Sequence, residues 1–386
     1  MGERASARVS NPATWDLLRA ESAQEWPWLS VIVPCRNEAR FIAACLDSIV
    51  GNGYPADRME VLVVDGMSSD GTREVVCSYA GRYPFIRMLD NPRRITPCAL
   101  NIGIAAARGD VVIRMDAHAT YEPGYIGYCV DALERYGADN AGGVWRVTAP
   151  DGGLISKATL AVMAHRFGGA ARYRSHRPTD GAEPLMAELV PFFCCRRETL
   201  RKIGPFNERL VRHQDFEYVV RLRRAGARFM LVPRAVCNYY ARTGFRSFCL
   251  HNFRDGMWTI LAAAYSEVLP FSLRHLVPLI ALVVLVGGCV AAPFSVLVRY
   301  VLGALLLAYA AAALFSAAQI AARERRPDLS FAVPPIFVAR HVAFGLGSLV
   351  GLAGAVAAAV RGFLMSGRRA TQADEERCGR AGVRKE

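Results

Sequence analysis

The chain reads as an α/β protein: a mostly parallel, Rossmann-like sheet followed by C-terminal transmembrane helices. Three observations predict this. Apolar strand-like runs and helix-like runs alternate roughly every 25–30 residues between residues 30 and 115. Two of the strand-like runs end in an aspartate, Asp65 and Asp116. Three long uncharged blocks follow residue 275.

Ser30-Val31-Ile32-Val33-Pro34 has the β-branched, apolar character of a buried strand, and Glu38 to Ile49 carries helical apolar spacing at Phe41, Cys45, Leu46 and Ile49. Glu60 to Asp65 is the second strand, and Thr72 to Tyr79 a helix capped by the Asp70-Gly71-Thr72 turn. Phe85 to Leu89 is a third strand. Ala99 to Ala107 is a helix closed by Arg108-Gly109, with glycine at the usual stop position. Asp110 to Met115 is the fourth strand. Such alternation implies βαβ units with right-handed crossovers, and ligands of such sheets sit at the carboxyl ends of the strands, where Asp65 and Asp116 fall.

Beyond residue 120 the pattern changes. Tyr125 to Tyr136 reads as a helix, Gly142 to Val147 as a strand and residues 165–190 as a long basic loop with Gly and Pro. Val190 to Cys195 is strand-like. Arg197 to Ile203 is a short helix and Asp215 to Ala225 another.

Leu276–Val298 and Tyr300–Ala322 each run 23 residues without a charge, and His341–Val360 runs 20. About 20 apolar residues span a bilayer as a helix. Only Arg299 separates the first two blocks, so they form a hairpin. The link from Arg323 to Arg340 carries four arginines against two acids, which places it on the cytoplasmic side. Three full spans would leave the tail 361–386, with seven basic and four acidic residues, on the far side. A third block that is re-entrant, or packed on the other two through its glycines, would remove that conflict. The expected organisation is a leader over 1–28, a catalytic domain over 29–245, a basic amphipathic membrane-surface segment over 246–275, a membrane region of two or three helices over 276–362, and a charged tail over 363–386.

The balance of 47 basic and 34 acidic residues gives a net charge of +13. Eight arginines and no acid lie between Arg221 and Arg254, just ahead of the apolar blocks. That placement suits anionic lipid head groups or phosphorylated lipid. No nucleic-acid motif accompanies it, so no nucleic-acid partner is expected. The eleven cysteines lack any Cys-x-x-Cys unit and read as free thiols of a reducing compartment. Residues 1–28 hold no apolar core of signal-peptide length, so the first domain is expected in the cytoplasm.

The run Asp116-Ala117-His118 puts a carboxylate and an imidazole at i and i+2, where both can face one divalent cation, and such a cation can hold a diphosphate. Taken together, Val31 to Glu38 (with Pro34-Cys35-Arg36-Asn37-Glu38), Val64 to Thr72, Asn101-x-Gly103 and Met115 to His118 resemble glycosyltransferase family 2, whose members are inverting enzymes of the nucleotide-sugar transferase A-type fold. The likeness covers about residues 29–260 and is nearest to the ExoA-like branch of exopolysaccharide synthesis, whose motif also reads Asp-Ala-His.

That resemblance implies roles for particular residues. Pro34, Glu38 and Asp65 would surround the nucleotide of the donor. Asp70 suits a helix cap as well as a ligand contact. Asp116 matches the first acid of the family's Asp-x-Asp metal motif, and His118 replaces the last, so Asp116 and His118 are the expected metal ligands. Mg²⁺ prefers oxygen ligands and Mn²⁺ also accepts imidazole, so either ion fits the pattern. Asp215 takes the position of the catalytic base, with Gln214 in place of the usual Glu and Glu217 as fallback. His251 to Trp258 replaces the Gln-x-x-Arg-Trp signature of processive synthases, which points to one sugar per acceptor. Arg254 and the Arg242–Arg246 stretch could clamp a lipid diphosphate.

The implied activity is transfer of a sugar, glucose by analogy, from a nucleotide-sugar donor such as a UDP-sugar to a polyprenyl-diphosphate-linked saccharide. The setting is the inner membrane, with several spans and a cytoplasmic catalytic domain. Two alternatives remain: a sugar nucleotidyltransferase, against which stands the lack of a Gly-rich loop with Lys after the first strand, and a non-catalytic membrane scaffold.

Overall fold

The computed structural model describes residues 26–149, 152–169, 183–241, 244–266 and 273–382, with backbone only for 358 and 361–382. Most of the expected leader, residues 170–182 of the basic loop, and Arg242 lie outside the described residues. The chain forms two units, Met1–Thr243 and Gly244–Glu386.

In the first unit, strands β1 (Leu29–Cys35), β2 (Met59–Asp65), β3 (Ile86–Asp90) and β4 (Val111–Arg114) alternate with helices α1 (Ile42–Val50), α2 (Thr72–Arg82) and α3 (Thr96–Ala106). These strands lie parallel in the order β3-β2-β1-β4, so the carboxyl ends of β1, β2 and β4 share one edge. The strands have period two; β1, β2 and β4 are buried on both faces, while β3 at the end of the strand order is only partly covered. Val31, Val33, Val61 and Val63 pack on one side with residues of α1, while Ile32, Leu62 and Val64 pack on the other with Ala99 and Leu100 of α3.

The second half of the sheet is mixed. It comprises β5 (Ala119–Tyr121), α4 (Tyr125–Arg135), β6 (Asn140–Thr148), α5 (Leu154–Ala164), β7 (Leu185–Met186), β8 (Cys194–Arg196), α6 (Arg197–Ile203), α7 (Gln214–Arg224) and β9 (Phe229–Tyr240). β8 joins the two halves, antiparallel to both β4 and β6. β9 runs parallel to β6 and takes β5 and β7 as antiparallel partners. The expected strand over 190–195 thus shrinks to β8. β9, β5 and α5 have no counterpart in the expected element order. Pro233 interrupts the β9 pattern and falls where the β6 register shifts, between the Leu231 and Val236 pairings, a place where a missing N–H costs nothing.

Gly109 also differs from expectation. α3 ends at Ala106 in an extended Ala107. Gly109 lies against β1, donating its N–H to Ser30 Oγ at 2.8 Å, and a Cβ there would collide with the Leu29–Ser30 peptide.

The second unit holds α8 (Phe245–Tyr265), α9 (Val277–Ala291), α10 (Val296–Glu324) and α11 (Leu329–Gly382). Three stretches are long and apolar enough to cross a membrane: Val277–Phe294, Val296–Glu324 and Leu329–Ala357. The third block is one continuous helix that packs on α8, α9 and α10. It begins twelve residues before the expected His341, because the helix continues through Arg340, Pro334 and Pro335 and charge alone does not mark its start. The link before it narrows to a turn in which Arg326 Nε and Nη2 hold both oxygens of Asp328 at 2.9 and 2.5 Å. The segment read as membrane-surface forms α8 as far as Tyr265, and its residues 267–272 lie outside the described residues; the buried side of α8 (Phe248, Asn252, Gly256, Thr259, Ile260) faces α11. Gly256, Gly347 and Gly351 let the two backbones meet: Cβ atoms there would fall on the carbonyls of Phe344, Phe253 and Met257. Arg340 Nη1 donates to Asn252 Oδ1 at 2.7 Å. Arg246 and Arg254 are exposed on α8.

Candidate active site

The parallel register sets Cys35 at the end of β1 beside Asp65 at the end of β2, and Pro34 beside Val64. Asp65 is fully buried. Its carboxylate accepts from Ser68 N and Oγ at 3.0 and 2.5 Å and from Arg73 Nη1 at 2.7 Å. Burial pushes its pKa up, but the Ser68 and Arg73 hydrogen bonds outweigh burial and hold it below the usual carboxylate value. Arg73 also reaches Asp90, at the end of β3, at 2.8 Å. Asp65 therefore belongs to a charged cluster that includes Arg73 and Asp90, neither of which the sequence singles out.

The loops after β1 and β2 are knitted together. Asn37 N donates to Ser68 Oγ at 2.8 Å and Ser69 N to Asn37 Oδ1 at 3.0 Å; Glu38 N donates to Thr72 Oγ1 at 2.8 Å and Ala39 N to Asp70 Oδ2 at 3.1 Å. Asp70 also takes Thr72 N and Oγ1 at 3.1 and 2.5 Å, so it holds the first N–H of α2 and ties the loops, while the N-cap position itself is Gly71. Asn37 and Met67 adopt the left-handed region (φ 54° and 57°). An asparagine enters that region readily and a methionine rarely.

This knot fixes Glu38, whose carboxylate is buried and lies 3.3 Å from His118 Nδ1. The other ring nitrogen of His118 shares a 2.9 Å hydrogen bond with Tyr239 Oη. Tyr239 reaches it because β9 pairs with β5, setting Tyr239 opposite Ala119.

Arg114 and Asp116, two residues apart at the end of β4, are bound face to face. Arg114 Nε and Nη2 donate to the two oxygens of Asp116 at 2.7 and 3.1 Å. Burial works against the charge of Arg114, yet Asp116 and, more weakly, Asp215 hold its pKa above the usual value. The guanidinium is thus within electrostatic reach of both acids.

Asp215 lies in the first turn of α7, after His213 in the left-handed region (φ 62°). Its Oδ1 accepts from Phe216 N at 2.9 Å. Glu217, buried, gives both oxygens to Arg221 Nε and Nη2 at 2.8 and 3.0 Å. The segment leading to α7 is held by the Asn101-x-Gly103 motif on α3. Asn101 exchanges hydrogen bonds with the Phe206 backbone at 2.8 and 3.0 Å and donates to Glu208 at 2.9 Å, and Arg93 binds Glu208 as well. Phe206 stacks on Tyr218 with ring centroids 3.9 Å apart.

The structure thus brings Glu38 to His118 and Asp116 to Arg114, and the charge of Asp215 acts on Arg114 more weakly. The two expected metal ligands are otherwise engaged: Asp116 by Arg114 on both oxygens, His118 by Glu38 and Tyr239 on both nitrogens. As arranged, this pair does not fit a divalent ion. Among the described residues no three His, Cys, Asp or Glu side chains form a metal-binding group.

The chain is similar to known proteins. Residues 30–204 match the family model described as Glycosyl transferase family 2. The succinoglycan biosynthesis protein ExoA of Rhizobium meliloti (strain 1021) is 31% identical over 215 residues, 55% of this chain and 63% of that protein, so the chain spans under two thirds of that relative's length. The dolichyl N-acetyl-alpha-D-glucosaminyl phosphate 3-beta-D-2,3-diacetamido-2,3-dideoxy-beta-D-glucuronosyltransferase of Methanococcus voltae is 25% identical over 235 residues, 57% of this chain and 69% of that one. The mannosyltransferase PcManGT from Pyrobaculum calidifontis, solved in complex with GDP-Man and Mn²⁺, superposes with a TM-score of 0.55 at 21% identity, over 87% of this chain and 93% of that one. The fold is therefore the nucleotide-sugar transferase A-type fold followed by three apolar helices, and residues 30–204 are a glycosyl transferase family 2 domain.

Proposed function

We propose that this chain is a membrane-attached glycosyltransferase of polysaccharide or lipid-linked glycan biosynthesis. It moves a sugar from a nucleotide-sugar donor, a UDP-sugar in the first instance, to a saccharide carried on a polyprenyl diphosphate. The observation that carries the reading is Arg114, a buried cation paired with the strand-end acid Asp116 and held more weakly by the charge of the helix acid Asp215. A fixed cation there suits the diphosphate of a leaving group, and the helix carboxylate suits the acceptor.

The chemistry is a single displacement. Asp215 takes the proton of the acceptor hydroxyl as its oxygen attacks the anomeric carbon, the bond to the diphosphate oxygen breaks with its electron pair, and the configuration inverts. Engagement of Glu217 by Arg221 favours Asp215 over Glu217 as base. Pro34, Glu38 and Asp65 line the nucleotide side. The Mn²⁺ bound by PcManGT supports a divalent ion, Mg²⁺ or Mn²⁺, in this reaction too. Asp116 and His118, as folded, are engaged by Arg114, Glu38 and Tyr239 and do not hold such an ion.

The Methanococcus voltae relative, named for a dolichyl-linked phosphate sugar, supports a lipid-borne acceptor. So do the exposed Arg246 and Arg254 on α8, ahead of the apolar helices. The apolar helices and the arginines of the α10–α11 link support a multi-pass protein of the inner membrane with its first unit in the cytoplasm.

Donor screening in membranes carrying the wild type or Asp215→Asn tests this reading. One nucleotide sugar should yield nucleoside diphosphate and a labelled glycolipid with the wild type alone. Diphosphate release from a sugar phosphate and a nucleoside triphosphate would make the chain a nucleotidyltransferase instead.

A further inference from the structure

The Arg114–Asp116 pair does more than fill the strand end. Both side chains are nearly buried, 12% and 11% exposed, and both carboxylate oxygens are taken. The guanidinium also lies over an aromatic ring: its Cζ is 5.5 Å from the ring centroid of Phe192, itself in the left-handed region at φ 58°, and the main chain of Arg114 is fixed by its N–H, which donates to Phe193 O at 2.9 Å. A divalent ion on either oxygen of Asp116 would meet this positive charge a few ångströms away, in a site with little water to screen it.

We propose that Arg114 and a divalent ion are competing partners of Asp116, with the guanidinium the resident one. The fork takes both oxygens of Asp116 at once, so the carboxylate as folded is matched to a guanidinium and not to a divalent ion.

The test is Mn²⁺ binding to the purified full chain in detergent, read from the loss of the free-ion electron paramagnetic resonance signal, with no nucleotide present. Arg114→Gln should bind Mn²⁺ more tightly than the wild type, by about 5–150-fold, the usual span of coupling between two sites. Adding Asp116→Asn should abolish that gain. Arg114→Lys keeps a cation but loses the fork, and a gain between wild type and Arg114→Gln is expected; this reading stands on its own if the glutamine variant does not fold by circular dichroism. Wild-type binding as tight as that of both variants, or a gain that survives Asp116→Asn, overturns the proposal. Neither donor nor acceptor enters the measurement, so its failure would leave the transferase reading standing.

Discussion

Glu217 gives both of its carboxylate oxygens to Arg221, one turn further along α7, at 2.8 and 3.0 Å. Arg221 in turn donates to the backbone carbonyls of Ile203 and Pro205 at 3.0 and 2.8 Å. The buried acid two residues beyond Asp215 therefore anchors the helix to the loop before it. Asp215→Asn should lower the turnover rate by about 10²–10⁴-fold with donor affinity little changed, the usual worth of a general base. Glu217→Gln should instead lower the melting temperature and alter turnover far less. Parallel measurement of turnover, donor affinity and melting separates the two; a reversed pattern assigns the base to Glu217.

The charged cluster at the end of β2 makes a pH-dependent contribution to stability. The pKa of Asp65 is depressed in the fold, so its contribution is fully present above the unfolded value of about 4 and is lost as pH falls through the folded value. Arg73→Gln should destabilise the first unit by about 1–3 kcal/mol near pH 7, by leaving a buried carboxylate short of its cation. The gap between variant and wild type should narrow below about pH 4. Melting curves between pH 7 and pH 3 read this directly, and a constant gap across that range would contradict it.

Exchanging His118 for aspartate would restore the family's acid but set it against Glu38, which lies 3.3 Å from the present ring. Loss of stability of about 1–3 kcal/mol and weaker donor binding at neutral pH are expected, both easing as the solution is acidified and one carboxyl takes a proton. Tyr239→Phe removes only the 2.9 Å hydrogen bond and should cost about 1 kcal/mol. Donor titrations at pH 5 and pH 8 on both variants check the pair.

In the second unit, Gly347→Ala would drive a methyl group into the Phe253 carbonyl, whereas a Cβ at Gly303 on α10 would meet nothing within 4 Å. Gly347→Ala should lower the melting temperature in detergent and expose α8 to protease, at a cost of about 1–3 kcal/mol or more. Gly303→Ala should be neutral. Similar behaviour of the two would mean that α8 is not held by α11.

Much of the first sheet is legible in the sequence because one physical rule dominates each element. β1 and β2 are continuous apolar runs, as strands buried on both faces must be, and Asp65 and Asp116 stand out as charges ending such runs. Asp215 shows itself only through its place after Asn207-Glu208, and the motif residue Asn101 acquires a reason once it is seen to hold Phe206 and Glu208. Other features depend on contacts that the sequence does not order. Tyr239 meets His118 from 121 residues away through the β5–β9 pairing, and β9 itself hides behind Pro233. Arg114 reads as an ordinary strand-end arginine until its fork is seen on Asp116. The charges of the Arg323–Arg340 link mark it as a connection, yet α11 starts at Leu329 and runs through Pro334 and Pro335, where packing outweighs two missing donors.

The backbone contact of α8 with α11 at Gly256, Gly347 and Gly351 says where this protein can be cut and rejoined. The stretch immediately after Thr243 is inherited with the last helix, although in sequence it abuts the catalytic half. Chimaeras that swap donor-binding halves among relatives should therefore be spliced at residues 241–244. A splice at the first apolar block would marry one parent's α8 to another's α11 across an interface with no side chain to absorb the mismatch.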